Sequence, residues 1–231
     1  MLPSLNGETR LHLIVGDPVA QTKSPSGLTA EFAARGVNAV CVPIHVAAAD
    51  FDDFMRGAKR AHNIDGIVIT IPHKFAALRH CEEASDRARF LGAANVLHRI
   101  AHGRWRGDMT DGTAMVAALR RAGCEPGGRR ALVVGAGGAG SAVALALIEG
   151  GVSMLAVADM DEGRRQDLVK RLAAKAPAVA RTGTADPAGF GLAQVSRRGL
   201  IDSLPPTRRI ASQTPDLPVI PGSQKGCNPA A

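Results

Sequence analysis

Apolar runs alternate with segments of helical spacing through the first part of the chain. The runs at 11–16, 39–46 and 66–71 are short and rich in aliphatic residues, which is typical of buried strands. The segments at 25–35 and 50–61 lie between them and are interpreted as helices. This βαβ rhythm predicts a parallel or mostly parallel sheet with helices on its faces, and therefore an α/β fold.

The pattern then changes. We expect 93–100 and 103–108 to form a hairpin at the edge of the sheet, followed by an amphipathic helix at 111–123 that Asp111 caps. A Pro and paired Gly residues end this helix just before a new apolar strand begins. We therefore place a domain boundary near 122–129.

A glycine-rich turn follows the strand predicted at 131–135 and leads into a helix and a second strand at 153–159. Gly135, Gly137 and Gly140 satisfy G-x-G-x-x-G in the strand-to-helix context that dinucleotide sites require. The missing side chains would let a pyrophosphate approach the helix N-terminus, where free N–H groups favour anions. The alternative is a turn whose glycines serve only helix–strand packing. The expected cofactor-binding loop consists of Gly135, Ala136, Gly137, Gly138, Ala139 and Gly140.

An acidic residue after the second strand bears on the choice of cofactor. Asp159 would accept hydrogen bonds from the hydroxyls of the adenosine ribose. A carboxylate at this place repels a 2′-phosphate, so we predict NAD as the cofactor. Arg164 and Arg165, a turn later, keep NADP from being excluded.

Composition narrows the function classes. The formal charge of the 231-residue chain is +7, from 28 basic and 21 acidic residues, which could suit a polyanionic partner. Five basic and two acidic residues lie in 191–231, so +3 of this charge is in the tail. No aromatic-studded basic strand or recognition-helix motif accompanies it, and we expect no nucleic-acid partner.

Cysteines and histidines are scattered singly, without a CxxC pair or an H-E-x-x-H motif, so we predict reduced thiols and no metal site. No apolar run approaches the roughly 18 residues of a membrane span. The N-terminus lacks the pattern of a secretory signal, and we expect a cytoplasmic location with no membrane partner. The four cysteines are Cys41, Cys81, Cys124 and Cys227.

The strand at 66–71 runs into a hydroxyl, a rigid turn and a lysine, at Thr70, Pro72 and Lys74. Taken alone, this stretch is typical of a strand that ends at a surface lysine. Five motifs in order change that interpretation, and together they resemble the shikimate/quinate dehydrogenase family across roughly residues 11–170. The motifs are GDPVAQTKSP, ITIPHK, GAANVL, GDMTDG and VVGAGGAG.

This resemblance implies a substrate-binding and catalytic α/β domain at 1–123 and a partial Rossmann-like cofactor domain at 124–190. It also implies reversible hydride transfer between a nicotinamide cofactor and a ring hydroxyl of shikimate or quinate. The partner is thus a small molecule, and a homodimer is compatible with the family. Residues 191–231 have six of the chain's 14 prolines and no sustained period, so we expect an irregular or disordered tail.

The resemblance also assigns roles to single residues. Lys74 matches the catalytic lysine of the family and Asp111 its partner aspartate. Alcohol oxidation requires a group that takes the proton from oxygen as hydride leaves carbon, whereas a free lysine titrates near 10.4, roughly three units above neutral pH. Burial and a neighbouring carboxylate shift a lysine in opposite directions, so the pair titrates as a coupled unit.

Four further residues match substrate-binding positions of the family. Thr22 and Ser24 match hydroxyls that bind the substrate carboxylate, and Thr70 and Asn95 match side chains that bind substrate hydroxyls. Three of these four residues have a purely structural alternative. Thr22 and Ser24 could cap the helix that begins near Pro25, and Asn95 could satisfy a turn.

Departures from the family pattern affect the cofactor. NADP-preferring members have Asn-Arg-Thr where this chain has Asp159-Met160-Asp161, which strengthens the prediction of NAD and points towards the quinate/shikimate branch. In the substrate domain, the family usually has Ser at the position of Thr22 and Asn at that of Met109.

The largest departure follows Phe190, where the family continues with further cofactor-domain strands and a C-terminal helical segment. We interpret the change as an altered reading frame or a truncated gene. Two hypotheses result. One is an active NAD(P)-dependent shikimate/quinate dehydrogenase, and the other is an inactive remnant that binds substrate or nucleotide without turnover.

Overall fold

The computed structural model of the chain describes residues 5–182, 194–196 and 199–201. Within these residues it has two main sheets flanked by helices, which confirms the α/β fold. No helix among the described residues is both long and apolar enough to span a membrane.

The first sheet has six strands in the order β2-β1-β3-β5-β6-β4. Its first three strands are parallel, and the next two form an antiparallel hairpin, as the sequence predicts. That hairpin is not at the edge of the sheet, because β4 adds a short parallel strand outside it. The strands are β1 (Arg10–Gly16), β2 (Ala39–His45), β3 (Ile64–Ile69), β4 (Glu83–Ala84), β5 (Val96–Arg99) and β6 (Trp105–Asp108).

Five helices lie in this part of the chain, two of which the sequence pattern did not predict. The helices are α1 (Ser24–Ala34), α2 (Phe51–Arg60), α3 (Lys74–Leu78), α4 (Asp86–Leu91) and α5 (Asp111–Arg121), with short 3-10 turns at Ala48–Asp50 and Ala101–Gly103. The unpredicted α3 and α4 have five and six residues, which is too short to show a helical period. The core of this half contains Phe51, Met55, Ile67, Leu97 and Trp105.

The second sheet is parallel, in the order β7-β8-β9. Its strands are β7 (Arg130–Val134), β8 (Met154–Ala158) and β9 (Ala180–Thr182), and its helices are α6 (Gly138–Glu149) and α7 (Glu162–Lys175). Seven consecutive residues of α6, 141–147, are buried, because this helix is covered on one side by the sheet and on the other by α5.

The core of the second sheet extends across the domain boundary expected near 122–129. Val116 and Leu119 of α5, and Leu91 of α4, belong to the same buried cluster as Val133 and Leu145. The body of α5 therefore packs with the second sheet, although its sequence precedes the proposed boundary.

The tail expected to be irregular at 191–231 lies mostly outside the described residues. Within it, two three-residue strands, β10 (Gln194–Ser196) and β11 (Gly199–Ile201), pair antiparallel. The irregular-tail interpretation did not include them.

Candidate active site

Lys74 stands at the start of a short helix rather than at the end of a strand. After β3, the backbone N–H of Thr70 donates to the Val15 carbonyl at 2.9 Å, and that of His73 donates to the Thr70 carbonyl at 3.1 Å. This turn leads into α3, whose first residue is Lys74. The Lys74 side chain is only 11% exposed, so the interpretation of a surface lysine is wrong.

The partner of the amine is Asp111. Lys74 Nζ donates to Asp111 Oδ2, and Asn95 Nδ2 donates to Asp111 Oδ1 at 2.6 Å. The backbone N–H of Thr110 donates to Asn95 Oδ1 at 2.7 Å. Asn95 is 5% exposed, so this amide is fixed on both sides and orients the carboxylate. The three side chains form a continuous hydrogen-bonded group, which we call the lysine–aspartate–asparagine triad.

The expectation that Asp111 caps α5 is wrong. Thr110 occupies the N-cap position, and no side chain there bonds to the helix backbone. Asp111 is the first helical residue, and both of its oxygens are directed to Lys74 and Asn95. Its negative charge also lies near the positive end of the helix dipole, where it is favoured.

Thr70 lies where the first strand and the lysine-bearing turn meet. A side chain at Gly16 would overlap the Thr70 methyl group, so β1 and this turn are in direct contact. The backbone N–H of Asp17 donates to the Ile71 carbonyl at 2.9 Å. The loop after β1, which leads to Thr22, is thereby tied to the turn that carries Lys74.

Neither Thr22 nor Ser24 caps α1. Lys23 occupies the N-cap position, and no side chain there bonds to the helix backbone. The hydroxyl of Thr22 donates to the Val19 carbonyl at 2.8 Å, and Ser24 is the first residue of the helix. The capping alternative for these two residues is therefore wrong, and substrate binding stays a prediction.

The glycine loop connects β7 to α6 by a turn that only glycine permits. Gly135 has φ of +107°, and a Cβ at Gly140 would lie 2.8 Å from the carbonyl carbon of Gly135 and closer still to its oxygen. Ser141 holds the loop from within, since its Oγ donates to the Ala136 carbonyl at 3.1 Å. The contact at Gly140 is one of packing within the loop, whereas a Cβ at Gly137 would meet no atom within 4 Å. The loop is therefore open at Gly137, on the side where a pyrophosphate binds in such turns.

Lys74 packs directly against this loop. A Cβ built at Gly138 would lie 3.2 Å from Lys74 Cβ and 3.1 Å from its Cδ. The stem of the lysine therefore crosses the N-terminus of α6, and its amine reaches Asp111 beyond it. The structure thus brings the expected catalytic pair and the expected cofactor loop to one place.

The carboxylate of Asp159 is occupied by the protein itself. Its Oδ2 accepts from the backbone N–H of Ala136 at 2.6 Å, and its Oδ1 accepts from that of Asp161 at 2.8 Å and from Arg164 Nη2 at 3.0 Å. Burial opposes ionisation, but these hydrogen bonds and the charge of Arg164 win, and the pKa of Asp159 is lowered. This side chain, which is 8% exposed, is foremost a clamp on the glycine loop.

The sequence interpretation missed two contacts of this site. It did not pair Arg164 with Asp159, although five positions separate them across the start of α7. It also did not connect Asn95 with Asp111, because no local pattern relates a loop residue to the first residue of a helix 16 positions later.

The part of the chain that the structure describes contains no recognisable set of metal ligands. Among those residues, no group of three or more His, Cys, Asp or Glu side chains could hold an ion. Cys41, Cys81 and Cys124 are free thiols. Cys227 lies outside the described residues.

The fold and the site define an α/β protein in which a buried lysine, paired with an aspartate, lies beside a glycine loop. The model of the shikimate dehydrogenase substrate-binding domain matches residues 14–97. The chain is 40% identical over 171 residues to the shikimate dehydrogenase (NADP(+)) of Rubrobacter xylanophilus, covering 74% of this chain and 60% of that protein. The NADP(+) enzyme of Symbiobacterium thermophilum is 34% identical over 226 residues, covering 97% of this chain and 74% of that protein.

The comparison with a solved structure also points to shikimate dehydrogenases. The shikimate 5-dehydrogenase of Thermus thermophilus in complex with NADP(H) and shikimate is 28% identical, with a TM-score of 0.72 over 82% of this chain and 69% of that one. This chain belongs to the shikimate dehydrogenase family, which confirms the resemblance found in the sequence. It spans less than two thirds of the length of the Rubrobacter relative.

Proposed function

We propose that this chain catalyses the reversible oxidation of a ring hydroxyl of shikimate to the corresponding 3-dehydro ketone, with a nicotinamide dinucleotide as co-substrate. The observation that carries this proposal is the contact of Lys74 with both Asp111 and Gly138. This contact supports the proposal because the lysine that would exchange the proton lies next to the loop where a dinucleotide would bind. Shikimate ranks before quinate because the relatives named above are shikimate dehydrogenases.

Each residue of the triad has a distinct part in this proposal. The bound dinucleotide would supply the hydride acceptor. Lys74, as the free amine, would take the hydroxyl proton as the carbon–hydrogen bond breaks, and would return it in the reverse direction. Asp111 orients the amine through the hydrogen bond that it accepts from Nζ. Asn95 fixes the carboxylate and would share a ring hydroxyl with Thr70. Thr22 and Ser24 would bind the substrate carboxylate.

The loops that follow β7 and β8 of the second sheet are suited to binding a dinucleotide. A Cβ at Gly137, the N-cap residue of α6, would meet no atom within 4 Å, which leaves room for a pyrophosphate at the start of this 12-residue helix. Asp159 stands where the adenosine ribose is expected, at the end of β8.

Arg164 bears on the choice between NAD and NADP. Its guanidinium lies 3.0 Å from Asp159 and 3.4 Å from Asp161, so it offsets the carboxylate that led to the prediction of NAD. The side chain is 56% exposed and can turn towards an added phosphate. The relatives named above are NADP(+) enzymes, and we propose that this chain accepts NADP as well as NAD.

The test is an assay at 340 nm with shikimate and quinate, each with NAD and NADP. We expect turnover with shikimate, and a loss of about 10²- to 10⁴-fold in kcat for Lys74→Ala. Lys170→Ala on the exposed face of α7 is the matched control and should keep full activity. Calorimetry that showed shikimate binding without hydride transfer would instead support the inactive remnant.

A second variant tests the cofactor proposal. Arg164→Gln should raise the KM for NADP several-fold and leave that for NAD nearly unchanged, because only NADP carries the phosphate that this cation would contact. Equal effects on both cofactors would show that Arg164 acts only by holding Asp159.

A further inference from the structure

A histidine and an aspartate form a pair at the edge of the first sheet where its parallel strands end. His45 is the last residue of β2, and Asp17 directly follows β1. His45 Nε2 lies 2.7 Å from Asp17 Oδ1. An ionised carboxylate only accepts hydrogen bonds, so Nε2 is assigned the donated proton. The other ring nitrogen, Nδ1, has no hydrogen-bond partner within the described part of the chain, and the imidazole is 63% exposed, so a ligand can reach it.

The side chains of His45 and Thr70 lie on the same face of this sheet. His45 is in register with Gly16, and the backbone N–H of Thr70 donates to the Val15 carbonyl, so His45, Gly16 and Thr70 form one row across three strands. Alternate residues of a strand share a face, and the positions that share this face pack against α1. These positions are Ile14, Cys41 and Val68, and they contact Leu28 and Phe32. The Thr70 methyl group fills the place that a Cβ at Gly16 would take, so this side chain leans across β1 towards β2.

Helix α1 brings the expected carboxylate-binding residues to the same end of β2. It connects β1 to the parallel β2, so it runs antiparallel to both strands. Thr29 fixes its position along the strand, because its Oγ1 accepts from the backbone N–H of Cys41 at 3.0 Å. The helix rises about 7.5 Å from Thr29 back to Ser24. The strand advances about 13 Å from Cys41 to His45. Ser24, and Thr22 in the loop before it, therefore lie over the end of β2 that carries His45.

The two hydroxyls alone do not supply enough donors for a carboxylate. Thr22 Oγ1 already donates to the Val19 carbonyl at 2.8 Å. A hydroxyl has one proton, so Thr22 cannot at the same time donate to a bound carboxylate. A carboxylate beside Ser24 would lack a second donor and a positive charge. A protonated imidazole provides both, because each of its ring nitrogens then carries a proton.

We propose that His45, oriented by Asp17, is a further substrate-binding residue whose Nδ1–H donates to the carboxylate of shikimate beside Ser24. Asp17 holds Nε2, so that Nδ1 is left for the ligand. This inference rests on the proposed function, because it takes shikimate as the ligand of the site.

The experiment measures binding of shikimate and of its methyl ester to the full chain by calorimetry. It is done at about pH 6, because histidine side chains change their charge between about pH 5 and 8. His45→Gln removes the charge and should raise the Kd of shikimate about fivefold. The Kd of the ester should stay nearly unchanged, because the ester has no negative charge. His45→Arg should recover much of the affinity for shikimate, since it returns a cationic donor.

Two control variants accompany this measurement. His62→Gln is the matched control, because this exposed histidine lies just before β3, at the opposite edge of the sheet, and should bind both ligands as the unchanged protein does. Lys23→Gln removes the exposed cation at the N-cap of α1. An effect of Lys23→Gln in place of His45→Gln would assign the carboxylate to Lys23 and overturn the inference.

The remaining outcomes separate this inference from the proposed function. Equal losses for shikimate and its ester would show that His45 only supports the loop, and no loss would show a surface ion pair. Either result would overturn the inference, as would a chain that does not bind shikimate at all. Calorimetry requires no hydride transfer, so a chain that binds shikimate through His45 without turnover would refute the dehydrogenase activity and still support the inference.

Discussion

Gly112 is the point at which α5 touches α6, and its replacement by alanine is a stringent test of this packing. A Cβ at this position would lie 2.5 Å from the carbonyl carbon of Ala142, closer still to its oxygen, and 2.9 Å from Ala146 Cβ. The obstructing atoms are mostly backbone, so no rotamer change can relieve the overlap. The two helices would have to separate.

The expected magnitude follows from two opposing effects. Overpacking in a well-filled core costs about 1–3 kcal/mol. Alanine is favoured over glycine inside a helix by roughly 0.5–1 kcal/mol, which offsets part of this cost. Gly57 in α2 is the matched control, because nothing lies within 4 Å of a Cβ built there. Gly57→Ala should therefore gain only the helix-propensity contribution. Because Gly112→Ala gains the same contribution, the two variants should differ in unfolding free energy by the overpacking cost alone, about 1–3 kcal/mol.

Urea unfolding followed by circular dichroism measures this difference. The midpoint should fall for Gly112→Ala and rise slightly for Gly57→Ala, with similar slopes. The proposed dehydrogenase activity should fall further for Gly112→Ala than the loss of stability explains, because the preceding residue, Asp111, would move away from Lys74. If Gly112→Ala unfolds at the same urea concentration as the unchanged protein, α5 and α6 do not pack as described.

Two further predictions concern residues next to the site. Asp159→Asn should lower the free energy of unfolding by about 1–3 kcal/mol at pH 7. Because the folded-state pKa of Asp159 is lowered, the stabilisation by its carboxylate is present above the unfolded pKa of about 3.9. That stabilisation is lost as the pH falls through the folded-state pKa. The gap in unfolding midpoint between Asp159→Asn and the unchanged protein should therefore shrink in acid, and a gap independent of pH would contradict the clamp. His73 is buried, lies 2.8 Å from the Val46 carbonyl, and stacks on Phe51 at 4.3 Å, so His73→Leu should misplace Lys74 and lower kcat about tenfold with little change in KM. A change in KM alone would show that His73 acts through substrate binding.

The sequence predicted those parts of the fold that have a sustained period. The strands β1, β2, β3, β7 and β8, and the helices α1, α2, α5 and α6, lie within a few residues of their expected positions. The glycine loop was found because its spacing follows from the close approach of Gly135 and Gly140, a constraint that local sequence records. The helices α3 and α4 were missed because one turn of helix has no period to detect. The sequence analysis also did not predict α7, although this helix has 14 residues.

The cap predicted for α5 shows a different limit. Aspartate before an apolar run satisfies every local rule for an N-cap, and the same residue can instead point away from its helix. Asp111 does so because tertiary partners, Lys74 and Asn95, compete for its two oxygens. Local propensity does not predict hydrogen-bond partners that lie on another helix or strand.

The triad depends on both cores of the molecule at once. Lys74 stands on α3, whose Ala77 packs in the core of the first sheet, whereas Asp111 stands on α5, whose Val116 and Leu119 pack in the core of the second. The 37 positions between the two charged residues therefore cross from one core to the other. Because the bond joins elements anchored separately, a small rotation of one core against the other would change its geometry, and the site gains its precision from the tight α5–α6 contact at Gly112. A domain boundary placed after α5 from the sequence does not show this dependence, because it assigns the whole of α5 to the first domain. The first residue of α5 contacts Lys74 of the first half, whereas the rest of the helix packs with the second sheet.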